Sequence, residues 1–289
     1  MPKKLIAVAV SCLGLCTWPS LAAPVVTSDV GATPASILGK IDAFRATLGG
    51  VNNGAGPAPS AAGLASGRRE INWDAPALDG VAAPASMPAS QFNGAVAPFA
   101  RGATFATSGS GFMISRRAEQ GGDAPLFGFA AANVLLQAFS AQRVFAPVGA
   151  HQLDTTFSVP GFSATAASVS AFGAVFVDVE LDNLSALEFF NLQGQSLGQY
   201  FVPASSDGGL SFLGVRFDAG ERIGRVRITT GDINLLSHGV LSSSSGDFVV
   251  VDDFIYAEPL AVPELGTQAL MALGLAGLVA AARRRRPRG

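Results

Sequence analysis

The spacing of apolar residues predicts one amphipathic helix near the start of the chain. Its apolar positions form a single stripe at helical spacing, made of Ile37, Leu38, Ile41, Phe44 and Leu48. Thr33 is a suitable N-cap, Pro34 fits the first helical position, and Gly49 fits the exit. We therefore predict a helix over residues 34–48 that packs against a sheet. A helix that binds a partner is the alternative.

Alternating apolar and polar positions predict short strands from about residue 104 onward. The alternation is clearest in residues 175–182. One face there carries Val175, Val177, Val179 and Leu181, and the other carries Phe176, Asp178, Glu180 and Asp182. The strand candidates after the first hairpin are 143–148, 154–159, 171–181, 186–192, 196–202, 210–217, 223–229 and 247–256.

Glycine-containing segments predict where these strands turn. Residues 108–111 (SGSG) indicate a hairpin turn between strands 104–107 and 112–115, and residues 192–195 (LQGQ) indicate a second one. Residues 50–98 are mostly loop-like. Roughly ten short strands at this spacing favour an all-β sandwich or jelly roll over a parallel sheet.

Composition supports an extracellular all-β domain. Only 14% of the residues are charged and 49% are hydrophobic, with 34 Gly and 17 Pro. Long helices would need more Glu, Lys and Leu than this chain contains.

The first 22 residues have the features of a cleavable signal peptide. Lys3 and Lys4 precede an apolar stretch over residues 5–15. Ser20 and Ala22 then provide small residues at the two positions that a signal peptidase recognises, and we predict the cut after Ala22. A lipoprotein cut or an uncleaved anchor are the alternatives, although the apolar run is shorter than a membrane span. The two cysteines, Cys12 and Cys16, lie within this segment, so the mature domain of residues 24–261 would contain none.

The last 28 residues combine a short motif, an apolar run and a basic end. Val262, Pro263 and Glu264 precede a mostly apolar stretch over residues 265–282, which is just long enough to cross a bilayer. The basic end consists of Arg283, Arg284, Arg285 and Arg286, with Arg288 beyond. These arginines would hold that end in the cytoplasm. We predict a transmembrane helix over residues 265–282.

This three-part tail resembles the PEP-CTERM sorting signal over residues 262–289. It departs from the usual motif at Leu265, where the family has Pro. The resemblance implies processing by an exosortase, a membrane cysteine protease of Gram-negative bacteria that make exopolysaccharide. It also implies delivery to the cell surface or extracellular matrix, with membrane attachment only through the C-terminal helix before processing.

Five internal segments resemble uncharacterised exosortase-tailed proteins. They are residues 67–74, 172–181, 189–203, 209–228 and 249–256. This resemblance implies a jelly-roll-like β-sandwich and brings no catalytic residues.

Loss of both ends would change the charge of the protein. It removes seven of the 19 Lys and Arg and one of the 21 Asp and Glu, which leaves a net charge of −8. That charge argues against nucleic acids and anionic membranes as partners. It is compatible with divalent cations and with neutral or cationic glycans.

Acidic residues are the main candidates for chemistry in the domain. They are Asp178, Glu180 and Asp182 on one predicted strand face, and Asp252 and Asp253 in the last predicted strand. Three interpretations stay open: a solvated face that pairs with Arg225 and Arg227, a structural Ca²⁺ site, or the carboxylate pair of a glycosidase. His151 and His238 fit no metal-ligand spacing.

Trp73 is a candidate glycan contact because a flat ring between Asn72 and Asp74 could stack on a sugar; a partly buried core or edge aromatic is the alternative, and the sequence favours it. We predict no catalytic residue and no cofactor apart from the Ca²⁺ candidate. The sequence therefore favours a non-catalytic surface or matrix protein that associates with exopolysaccharide. A carbohydrate-active hydrolase and a purely structural surface protein are the alternatives.

Overall fold

A computed structural model describes residues 23–54, 64–74, 82–87, 100–115, 136–140, 143–235, 246–262, 271 and 273–278. This part of the chain is mostly β and forms a curled antiparallel sheet, which confirms the predicted mainly-β class.

The described strands are numbered in chain order. They are β1 (Val25–Gly31), β2 (Arg68–Ile71), β3 (Ala82–Met87), β4 (Ala103–Ile114), β5 (Phe145–Val148), β6 (Gln152–Val159), β7 (Phe162–Ser168), β8 (Ala171–Val177), β9 (Ala186–Asn191), β10 (Ser196–Phe201), β11 (Leu210–Arg216), β12 (Ile223–Thr229), β13 (Val250–Ala257) and β14 (Leu260–Ala261).

The strand order places β1 and β10 at opposite ends of the sheet. The order is β1-β11-β8-β13-β5-β4-β6-β12-β9-β10, with β2 on β13, β3 on β4, and β7 on β6 and β14. Strands that are far apart in the sequence are therefore neighbours in the sheet, and their residues come into contact. β13, near the end of the domain, pairs with both β8 and β2.

The predicted helix is present as α1 (Pro34–Thr47). The Thr33 N–H donates to the Ser36 hydroxyl at 3.2 Å, and Gly49 has the positive φ of 102° that favours glycine after a helix. Ile37, Ile41, Phe44 and Leu48 are buried. Leu38 is 41% exposed, so the buried stripe is narrower than predicted.

Helix α1 packs on the sheet at a position where two neighbouring strands each have a glycine. The Phe44 ring sits against Gly214 of β11 and Gly173 of β8, and it meets Phe212 edge-on at 5.5 Å. A β-carbon at Gly214 would lie only 2.8 Å from the Phe44 ring. The two glycines therefore create the space that the helix fills.

A strand lies within the predicted range of residues 171–181, as expected. It ends earlier than predicted, and neither of its faces is exposed to solvent. Every residue of β8 is buried, including Phe176, because both faces of this strand are covered. The strand ends at Val177 because Asp178 adopts a φ of 69°. Asp178, Glu180 and Asp182 therefore do not share a strand face.

The predicted hairpin turn at residues 108–111 is wrong. β4 runs through these residues without turning; it pairs with β6 at residues 103–106 and with β5 at residues 111–114. Gly109 lies where the chain passes very close to the Val148 carbonyl, and a side chain there would collide with it. The glycines thus allow a change of partner strand. The second predicted turn, at residues 192–195, is confirmed between β9 and β10.

Two strands occupy the segment predicted as loop. β2 and β3 fall within residues 50–98. Strands β1 and β7 were not predicted from the pattern either.

The two predicted processing signals lie mostly outside the described residues. This holds for Ala22, Pro263, Glu264 and the four arginines at 283–286. Val262 is described, and its N–H donates to the Ala166 carbonyl at 3.0 Å, directly after β14. Residues 273–278 are helical. Among the residues that can be described, no helix combines the length and apolar character of a membrane span.

Candidate functional site

Four neighbouring strands align a row of side chains on one side of the sheet; Thr104, Thr156 and Arg225 reach solvent, whereas Phe190 is buried at 9% exposure. The register aligns Thr104 of β4, Thr156 of β6, Arg225 of β12 and Phe190 of β9. The next outward row includes Asp154, Arg227 and Glu188. We call these seven residues the polar face. The row between them points inward and is buried: Phe105, Thr155, Val226 and Phe189.

Contacts across the strands hold the polar face in place. The hydroxyls of Thr104 and Thr156 are 2.6 Å apart. Asp154 accepts hydrogen bonds from both Arg225 and Arg227 at 2.9 Å. The Arg225 guanidinium also lies 3.7 Å from the centre of the Phe190 ring, a cation–π contact. The arginines therefore pair with Asp154, which corrects the predicted pairing with the acidic residues near 178–182.

Among the described residues, two open clefts border this face. The larger, of about 440 Å³, is lined by groups that can donate or accept hydrogen bonds: Thr104, Thr156, Ser158, Ser163, Asn191 and Arg225. Leu192 adds an apolar wall, and no carboxylate is among its described lining residues. The smaller, of about 350 Å³, includes Gln152, Asp154 and Arg227. Hydroxyl, amide and guanidinium groups beside apolar surface match the alternating polar and apolar character of a sugar ring.

The last strand carries two adjacent buried carboxylates rather than solvent-exposed ones. Asp252 is 0% exposed and Asp253 2%. The Ser140 hydroxyl lies 2.6 Å from Asp253 Oδ1, 3.4 Å from Asp252 Oδ1 and 3.3 Å from Asp74 Oδ2. Asp252 Oδ2 also accepts the Phe139 N–H at 2.5 Å and the Ser140 N–H at 3.2 Å. The pair thus holds residues 139–140 against β13.

One arginine from the helix partly balances this charge. Arg45 lies 3.3 Å from Asp253 and 2.8 Å from Glu70 of β2. Burial raises the pKa of both Asp252 and Asp253, and the charge of Asp253 raises the pKa of Asp252 further. The two carboxyl groups therefore retain protons in a pH range where an exposed aspartate is ionised.

This geometry does not suit a glycosidase. A carboxylate pair that cleaves a glycosidic bond must flank a substrate in a cleft. Asp252 and Asp253 are enclosed, and neither contributes to the lining of the described clefts. The contacts indicate a structural junction between α1, β2, β13 and the segment at 136–140.

The other predicted acidic residues fall into a separate group at the exit of β8. Carboxylate oxygens of Asp178, Glu180 and Asp207 lie within 4.8 Å of one another. Asp178 also accepts the Gly208 N–H at 2.7 Å. Burial raises the pKa of Asp178 to about 6 despite that hydrogen bond. Asp182 is exposed and does not belong to this group, whereas Asp207 was not predicted.

A further aspartate, Asp247, lies beside this group. It accepts the N–H groups of Glu180 and Leu181, each at 3.3 Å. Burial raises its pKa to about 6. Ca²⁺ prefers oxygen ligands, so Asp178, Glu180 and Asp207 are the residues that could contribute to holding one. Asp252 and Asp253 are not part of the arrangement.

Trp73 does not offer a ring to a sugar. It is 1% exposed, its ring stacks on Phe145 at 3.9 Å, and its Nε1–H donates to the Asp252 carbonyl at 2.8 Å. Its φ of 62° turns the chain inward after β2. The structure therefore corrects the glycan-contact assignment: Trp73 is a core residue, as in the alternative interpretation.

Sequence reasoning did not identify the polar face as a site. Its signal was present in Arg225 and Arg227, which alternate with apolar residues in GRVRI at 224–228. Their partners on β4, β6 and β9 could be found only from the strand order. Comparison with family models, with curated proteins and with solved structures found no match for this chain.

Proposed function

We propose that this is an exported surface or matrix protein whose β domain binds exopolysaccharide without modifying it. In this proposal the N-terminal signal directs export, with cleavage by signal peptidase, and the C-terminal tail is the substrate of an exosortase. The curled sheet is proposed to be a jelly-roll-like β-sandwich. Support for delivery comes from the order of motif, apolar run and arginine cluster over residues 262–289.

The single observation that supports glycan binding is the lining of the larger cleft on the polar face. Its hydroxyl, amide and guanidinium groups come from several strands and lie in fixed register. Arg225 is held by Asp154 and Phe190, so it loses little conformational entropy on binding. A shallow, open and polar surface suits one stretch of a long polymer better than a small enclosed substrate.

Binding to the polysaccharide of the producing organism tests this proposal. The protein as the cell exports it should bind, and the Arg225→Ala variant should bind about tenfold more weakly, because a charge-assisted contact is lost. Arg216→Ala is the matched control, since Arg216 lies on another surface and pairs with exposed Asp218. No binding by the parent protein would contradict the proposal and favour the purely structural alternative.

The hydrolase alternative predicts a different result in the same experiment. Incubation with the polysaccharide would release new reducing ends, and Asp253→Asn would stop their release. We expect no release from the parent protein, because the Asp252–Asp253 pair is enclosed.

We also propose the acidic group at the exit of β8 as the position for a structural Ca²⁺. A cation there would offset the repulsion among Asp178, Glu180 and Asp207. About 1 mM Ca²⁺ should then raise the melting temperature of the protein by several degrees relative to EDTA. Asp207→Asn should remove most of this increase, whereas Asp182→Asn should leave it. An equal increase in both variants, or none in the parent, would contradict this site.

A further inference from the structure

One end of the sheet is a regular strand with an open edge. β1 pairs with β11 over all seven residues, Val25–Gly31, without a register shift. In the described chain it has no partner on its other side. Open edges are usually blunted by charged side chains, especially lysine, by proline or by a β-bulge; β1 has no lysine, proline or bulge, and its one charged residue is Asp29. β10, at the opposite end, is blunted: a bulge at Gly198, with a φ of 127°, interrupts it.

The hydrogen bonds of the neighbouring strands establish which groups of β1 point outward. The Asp178 N–H donates to Gly209 and the Phe217 N–H donates to Ser170, so the odd-numbered residues of β11 bond to β8. Its even-numbered residues therefore bond to the odd-numbered residues of β1. The backbone groups of Val26, Ser28 and Val30 are left at the free edge.

A contact at Val30 agrees with this assignment. Its N–H donates to the side chain of its neighbour, Asp29, at 3.1 Å. This is the arrangement expected of an amide without a strand partner. The amides of Val26 and Ser28 have no such contact among the hydrogen bonds of the described residues.

We infer that β1 pairs in an antiparallel, two-fold symmetric manner with β1 of a second copy of this chain. Ser28 is the midpoint of the strand and has outward backbone groups, so full overlap places Ser28 opposite itself. Val26 then lies opposite Val30 of the partner. Three residue pairs would each exchange two backbone hydrogen bonds. The inference depends on the strand edge alone and not on glycan binding.

The side chains of β1 are complementary in this register. Val26 and Val30 are 47% and 41% exposed and lie on the face away from α1, so each would cover the other across the two-fold axis. On the opposite face, Asp29 would lie opposite Thr27, and no two like charges would be opposed. A two-fold contact of this kind closes on itself, so it produces dimers rather than fibres.

Paired charge substitutions test both the contact and its register. They are made in the protein as the cell exports it, and its association is measured by sedimentation equilibrium. The parent should dimerise below about 100 μM, within the range of weak specific interfaces. Val26→Lys/Val30→Lys opposes lysines at two positions and should raise the dissociation constant about tenfold or more. Val26→Lys/Val30→Glu opposes Lys to Glu in the same register and should restore dimerisation.

Substitution at the other edge provides the matched control. Gln199→Lys/Phe201→Lys adds the same charge to exposed positions of β10 and should leave the dimer intact. Unchanged melting temperatures would show that the β1 variants fold, as expected from the exposure of both valines. A monomeric parent, equal dissociation by the β10 variant, or failure of the Lys/Glu variant to restore the dimer would each overturn the inference.

Discussion

At the scale of single residues, Asp252 and Asp253 occupy positions where ionised carboxylates are costly. Both are buried, and the charged groups that act on them within the described part of the chain include two further acids, Asp74 and Glu70, and the cation Arg45. The sequence showed two aspartates in a strand, which usually indicates a solvated face. Their burial could not be predicted, because Ser140 is 112 residues away in the chain and Arg45 is 208.

These raised pKa values predict that the stability of the folded protein depends on pH in an unusual direction. Asp178 and Asp247 have pKa values of about 6, above their ordinary value of 3.8. Between these values the folded protein retains protons that the unfolded chain has released, so stability falls as pH rises from about 4 to about 6. The buried Asp252–Asp253 pair acts in the same direction.

We therefore expect the melting temperature, in the absence of Ca²⁺, to be highest near pH 4 and to decrease by several degrees towards pH 7. Asp178→Asn should flatten this profile, because the amide keeps an acceptor for the Gly208 N–H without titrating. Asp182→Asn, at an exposed position outside both acidic groups, should leave the profile unchanged. A melting temperature that rises steadily from pH 4 to pH 7 would contradict the assignment.

At the scale of elements, the contact between α1 and the sheet shows what local pattern can and cannot predict. Helical spacing and capping residues were sufficient to locate α1 to within a residue. The pattern did not show where the helix would lie, because that depends on Gly173 and Gly214, which come from different strands. Similarly, the glycines at 108–111 suggested a turn, whereas they allow β4 to change partners.

Substitution of Gly214 tests this packing. Its new β-carbon would lie 2.8–2.9 Å from two atoms of the Phe44 ring, so Gly214→Ala should lower the free energy of unfolding by about 1–3 kcal/mol. Gly39→Ala is the matched control, since nothing lies within 4 Å of that position in α1. We expect it to be neutral or to raise stability by about 0.5–1 kcal/mol. Urea unfolding would measure both, and equal effects would contradict the packing described.

At the scale of the whole molecule, the two proposed contact surfaces, the polar face and the open edge, belong to the same sheet. The face is built by β4, β6, β12 and β9, and the edge by β1, at the far end of the strand order. A matrix protein that both binds a polymer and pairs with its own copy would cross-link that polymer. The mainly-β class was predictable from alternation and composition. The face and the edge were not, because both depend on strand order.

The proposed function depends most directly on export through the N-terminal signal and on processing of the C-terminal tail. Mass spectrometry of the exported protein tests both cleavages in one measurement. We predict a product that begins at Ala23 and lacks the arginine cluster at residues 283–286. A protein that keeps residues 1–22 and the C-terminal arginines, and that stays inside the cell, would contradict the account.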